Sequence, residues 1–270
     1  MAKAPSLPVQ ICEDILRKDL EYNREHNNIW PSANRIIEGM LARRHELTDA
    51  YEELYSLFGE KPGALKAFLE ELSYTPVLYS EAKISKARQD RKDLLNINTR
   101  IAELSKALAE LLAKRQELQD TSDFRSETLY HILDAIHLAA KQTKHYEFQW
   151  HVQEHIESLQ GQFDLKYWPA LAAVIDAIGA DARNAEVSAS DSGTEAATQS
   201  PRPGLSDFVR AFMEKLKKNT DIPKRTPVSD STLASLINCA LELDAERLLD
   251  ADYIKSFRQR ERGKNQVPKA

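Results

Sequence analysis

The 270-residue chain is predicted to be all-α, and three observations carry the prediction. Apolar residues recur every three or four positions from Ile11 to Leu159, the period of a helix face rather than of a strand. Glycine is scarce, with eight residues in all, which leaves little material for tight turns or phosphate-cradling loops. Charged residues are 29% and hydrophobic residues 42% of the chain, a balance suited to helices with wide solvated faces.

The first helix is expected from about Val9 to Glu25, with Ile11, Ile15, Leu16 and Leu20 on one side and Asn27 and Asn28 breaking it. A longer helix follows Trp30-Pro31-Ser32 and carries Ile36, Ile37, Met40, Leu41, Leu47, Tyr51, Leu54, Tyr55 and Phe58. Gly59 stands where a C-terminal cap glycine belongs. Pro62 opens a short helix through Leu65, Phe68, Leu69 and Leu72, which Thr75-Pro76 is expected to close.

The most regular pattern lies between Leu94 and Leu118. Leu94, Ile97, Ile101, Leu104, Leu108, Leu111, Arg115 and Leu118 alternate steps of three and four, a heptad seam with one polar member. A return helix is expected from about Phe124 to Gln160, ending at Gly161. Two long helices joined by a short turn favour an antiparallel hairpin, here about 80–160, so pairing within one chain is preferred to a dimer. A last helix of this region, Trp168 to Ile178, would be capped by Gly179.

Asp181 to Pro203 carries one large aliphatic residue, Val187, among Ala, Ser, Thr, Gly, Pro and charged residues. Such a segment predicts a disordered linker, because it has little apolar area to offset the ordering of its backbone. The expected plan is therefore a helical body at 1–180, a linker at 181–203, a small basic helical module at 204–262 and a disordered tail at 263–270. In the module, Leu205, Phe208, Val209, Phe212 and Leu216 form one stripe, and Leu233, Leu236, Ile237, Ala240 and Leu241 form another.

Charge and cysteine usage narrow the function classes. Net charge is −5, yet Gly204 onward holds thirteen Lys/Arg against ten Asp/Glu. An acidic body with a basic tail makes DNA or RNA a candidate partner. The candidate contacts are Lys215, Lys217, Lys218, Lys224, Arg225, Arg258, Arg260 and Arg262, with Tyr253 and Phe257 placed to stack on bases. The alternative is compensation of helix dipoles by basic last turns. The N-terminus has no apolar signal-peptide core, and Cys12 and Cys239 read as reduced, packed thiols, so a cytoplasmic location without membrane association is expected.

Two patterns could carry catalysis. His151, Glu154 and His155 fit H-x-x-E-H, which on one continuous helix puts two imidazoles four residues apart beside a carboxylate, as zinc ligation needs. The alternative is a solvated, mixed-charge helix face. Arg125 and His131 have the loose Arg…His spacing of helical metal-independent ribonucleases; here the alternative is two ordinary helix-surface residues. Without Gly-rich phosphate loops, a nucleophile elbow or paired cysteines, no cofactor is expected. The function expected is non-catalytic: an intracellular interaction or assembly subunit that uses a coiled-coil-like body and a tethered C-terminal module to bind a protein partner or itself.

Overall fold

A computed structural model describes residues 6–129, 131–200, 204–224 and 228–264. Among the described residues there are thirteen α-helices and no strand, so the chain is all-α. The helices are α1 (Leu7–Glu25), α2 (Pro31–Ala42), α3 (Arg44–Phe58), α4 (Pro62–Leu78), α5 (Glu81–Thr121), α6 (Ile132–Gln142) and α7 (Tyr146–His151). They continue with α8 (Gln153–Gln162), α9 (Leu171–Asn184), α10 (Ser192–Thr198), α11 (Leu205–Lys218), α12 (Asp230–Ala240) and α13 (Ala251–Lys264). No described helix is long and apolar enough to cross a membrane.

The chain divides into two compact units. The first joins Met1–Gln89 to Ser188–Ala270, and the second is Asp90–Val187. This division differs from the expected body, linker and module. The C-terminal helices do not form a module of their own, because they share one core with the N-terminal ones. Leu16, Ile37, Leu54, Phe68 and Leu72 are buried with Phe208, Phe212, Leu236 and Ile237 in one cluster. Phe68 meets Phe212 edge-on at 6.0 Å between ring centroids. Each of those stripes is too narrow to form a core alone, and stacking them closes it.

One carboxylate shows how the two ends of the chain are joined. Glu53, on α3, accepts hydrogen bonds from the Ser229 backbone N–H and from the Ser229 and Thr232 hydroxyls. It therefore caps the N-terminus of α12 from a helix 176 positions away, where the unpaired N–H groups and the helix dipole favour a negative charge. These bonds hold the Glu53 carboxyl below its ordinary pKa against the opposing effect of burial.

The expected linker is also corrected. Its described residues include helix α10, whose Gly193 and Ala197 are buried. Asp191 caps α10, its Oδ1 accepting from the N–H groups of Gly193 (2.9 Å) and Thr194 (3.0 Å). The Tyr79 hydroxyl donates to the same oxygen at 2.6 Å. A Cβ at Gly193 would lie 2.2 Å from that hydroxyl, so the approach requires glycine. Small residues, which composition counts as disorder-prone, are here what lets α10 sit close to its neighbours. Residues 201–203, and the end of the expected tail at 265–270, lie outside the described residues.

Two boundaries in the first unit differ as well. The helix expected to run unbroken to Phe58 bends at Arg43 (φ −96°, ψ 28°), which separates α2 from α3. The apolar stripe jumps there from Leu41 to Leu47, a step of six. A straight helix cannot keep one face over that step, so the chain turns to bury both Met40 and Leu47. Pro76 does not end α4, which continues to Leu78. Its ring is buried near the last turn, where a missing N–H removes one hydrogen bond and leaves the rest of the helix intact. Asn27 and Asn28 do end the first helix region, with φ of 60° and 51°.

The second unit pairs differently from the expected hairpin. No continuous helix returns from Phe124 to Gln160: residues 124–129 are non-helical, and α6, α7 and α8 follow in short pieces. The helix that lies along α5 is α9. Gly179 is inside α9 and buried, and a Cβ there would come within 2.8 Å of the Ser105 Cβ. It is a close-approach residue rather than a cap. Arg91 reaches the Val187 carbonyl at 3.4 Å, while Leu171 and Ala172 line a hollow with Leu112 and Arg115. The two helices therefore run antiparallel, with α9 against the Ala102, Ser105 and Ala109 side of α5.

Candidate functional site

Two surfaces stand out, one in each unit. The first is the heptad seam. Because α9 takes the small-residue side of α5, burying Ala102 and Ala109, the leucine–isoleucine side faces outward. Leu94, Ile97, Ile101, Leu104, Leu108 and Leu111 are exposed by 38% (Ile101) to 65% (Leu111), and Leu118 by 54%. Arg115 is half-buried, with a guanidinium nitrogen 3.5 Å from the Leu129 carbonyl. The expected covering by a return helix is thus not found among the described residues, and a stripe of nearly four heptads, apolar except for Arg115, faces outward on α5.

The second surface is a cleft of about 710 Å³ in the first unit, walled by α10, α11 and α13. It gathers Arg210, Lys217, Lys224, Arg258 and Arg262 with Glu195, Glu214 and Glu261. The fold thus brings four of the sequence-predicted basic residues to one place. Lys215 and Lys218 stay in the last turn of α11, Arg260 is exposed on α13, and Arg225 lies outside the described residues.

The charge in this cleft is largely matched within the chain. Arg258 forms an ion pair with Asp230 and donates to the Val228 carbonyl at 3.0 Å. Lys217 lies 3.4 Å from Glu214. Arg210 bridges Asp207 and Glu261, each at 3.0 Å. Asp207 is buried, and it also pairs with Arg88 at 2.8 Å and accepts from the Gly204 N–H at 2.9 Å. This ionic chain, Arg88–Asp207–Arg210–Glu261, with a buried Asp207 at its centre, was not evident in the sequence. In a one-dimensional reading Glu261 is only the lone acid of a basic tail, and Arg88 is one of many charges at the start of α5.

The aromatic residues expected to stack on bases are also engaged. Phe257 is buried, with the Arg210 guanidinium 5.6 Å above its ring, and Tyr253 is half-buried, its hydroxyl pKa raised first by burial.

The catalytic candidates are spread over separate elements. His151 ends α7 and Glu154 belongs to α8, with Val152 (φ −122°, ψ −37°) breaking the helix between them. The continuous turn that would have aligned His151 with His155 is therefore absent. No cluster of three or more His, Cys, Asp or Glu suited to a metal ion occurs among the described residues. Arg125 is exposed in the non-helical segment before α6. His131 is buried and caps α6, its Nδ1 accepting from the Leu133 N–H at 3.1 Å, while its ring packs edge-on against Trp168 at 5.0 Å. These two contacts fix the orientation of that imidazole. Cys12 and Cys239 are free and buried, with burial pushing their thiols up to about 12 and about 11.

No family model matches this chain, and neither a curated protein nor a solved structure matches it.

Proposed function

We propose that this protein is a non-catalytic interaction or assembly subunit that works through exposed helix surface in its second unit. The observation that supports it most is the solvent-facing Leu94-to-Leu118 stripe on α5. The small buried area of that unit points the same way. Among its described apolar side chains only Ala102, Ala109, Leu133 and Ala182 are buried, so association would supply burial that the fold itself lacks.

The test is to fractionate tagged protein from its own host by size, beside a Leu104→Asp/Leu108→Asp variant. The expected result is elution well above one 30.7 kDa chain, lost in the variant while its helical circular dichroism is kept. Elution of the unmodified protein as a lone chain overturns the proposal.

The basic cleft supports a second reading, association with nucleic acid through Lys217, Lys224 and Arg262. The internal ion pairs of Arg210 and Arg258 weaken it. DNA or RNA binding at about 50 mM salt that falls steeply by about 200 mM would sustain it; no binding at the lower salt removes it.

A further inference from the structure

Extending the seam of α5 one step before Leu94 reaches Asp90, at a d position of the same heptad frame. The core positions then read Asp90, six Leu or Ile residues from Leu94 to Leu111, and Arg115. An acid stands at one end, a base at the other, and nothing polar lies between. The pattern is its own complement when reversed.

We propose that the stripe binds a second copy of this chain, the two α5 helices lying antiparallel about a two-fold axis near Ala102 and Glu103. This rests on the association role proposed above and names the partner. In antiparallel pairs, a positions of one helix layer with d positions of the other. With the axis placed there, Leu94 meets Leu111, Ile97 meets Leu108 and Ile101 meets Leu104, each twice by symmetry. The same register sets Asp90 of each copy against Arg115 of the other, at both ends. On the flank away from α9, Asp93 falls opposite Lys114 of the other copy, again twice.

Other arrangements lose these matches. A parallel in-register pair would stack Arg115 on Arg115 and Asp90 on Asp90, like charges in a desolvating seam. Shifting the antiparallel register by one heptad either way buries Asp90 against Leu108 or Arg115 against Ile97. One register alone sets Asp90 against Arg115 while keeping Leu94 to Leu111 against Leu or Ile, which is how a two-fold interface specifies itself. Asp90, Asp93 and Lys114 are exposed and Arg115 is half-buried, which places all four at the surface of α5. The area is also sufficient. Covering six half-exposed side chains from each copy, with their flanks, removes on the order of 1,200 Å² from water, the lower end of specific interfaces.

The test uses the purified full chain in sedimentation equilibrium at about 10 µM, a concentration at which a micromolar dimer is mostly assembled. The unmodified protein should sediment at twice 30.7 kDa. Arg115→Glu and Asp90→Arg, each alone, should weaken the dimer by tenfold or more, because each then faces a like charge in the other copy. The double variant Asp90→Arg/Arg115→Glu should recover most of that loss.

A monomer overturns the inference. So does a dimer that Arg115→Glu leaves unchanged, the outcome expected of a parallel pair, where one like-charge contact at position 115 replaces another. If the purified chain is monomeric but still elutes large from its host in a Leu104- and Leu108-dependent way, the association role stands and the self-pairing falls.

Discussion

The two units spend their apolar residues differently. In the first, Phe58, Phe68, Phe212, Leu54, Leu72 and Ile237 are almost wholly buried, and the carboxylates of Glu53, Asp191 and Asp207 each fasten one helix to another. In the second, the largest apolar side chains of α5 face water and its buried ones are alanines. The first unit is a closed core and the second an open one. Burial drives folding wherever the partner surface comes from, so the apolar side chains left open in the second unit are available to drive association.

That contrast can be broken or sharpened by experiment. The largest effect is expected for Phe212→Ala in the closed core, about 3–5 kcal/mol of lost stability in a denaturant titration. A loss under 1 kcal/mol would show that the first unit is loosely packed. Next is Glu53→Ala, which leaves the Ser229 N–H and two hydroxyls without their acceptor. A loss of about 1–3 kcal/mol is expected, with faster amide exchange in α12; unchanged exchange there would mean that α12 is held by its apolar face alone.

In the second unit Gly179→Ala should destabilise by about 1–2 kcal/mol, because the new methyl must push α9 away from Ser105. An exposed helical glycine would respond with the opposite sign, so stabilisation would show that α9 does not pack this closely. Asp191 supplies a pH signature. Bonds from Thr194, Tyr79 and Gly193 outweigh burial and lower its pKa from 3.8 to about 2. A lowered carboxylate contributes stability that is present above its unfolded pKa and lost as pH falls from about 4 towards 2. Asp191→Asn should remove that part of the acid transition, about 1 kcal/mol given the exposure of the residue. An unchanged acid limb would sink the assignment. Smallest of all is Leu108→Asp, expected to change the stability of the single chain by no more than about 0.5 kcal/mol. A large loss would mean that the stripe is covered within the chain.

Much of the helix content was legible because apolar spacing reports a face directly. The stripe from Leu205 to Leu216 became α11, and Asn27-Asn28 ended the first helix region as expected. What failed were inferences from composition and from single punctuating residues. The Ala- and Ser-rich stretch after Val187 hid α10, since small side chains bury little area yet permit close packing. Gly179 looked like a stop and is a contact. Pro76 looked like a stop and lies within α4. The His151–His155 spacing assumed a continuous helix, and Val152 interrupts it.

By itself the sequence determined that this chain is helical and that α5 carries an apolar stripe with heptad spacing, because the period of a helix face is written in local order. Only the tertiary structure decided which surfaces meet: that the two ends of the chain share one core, that α9 takes the alanine side of α5, and that the leucine side is left to solvent. Spacing defines a face but not its occupant. That choice depends on which distant stripes fit each other, and local sequence holds no record of the fit.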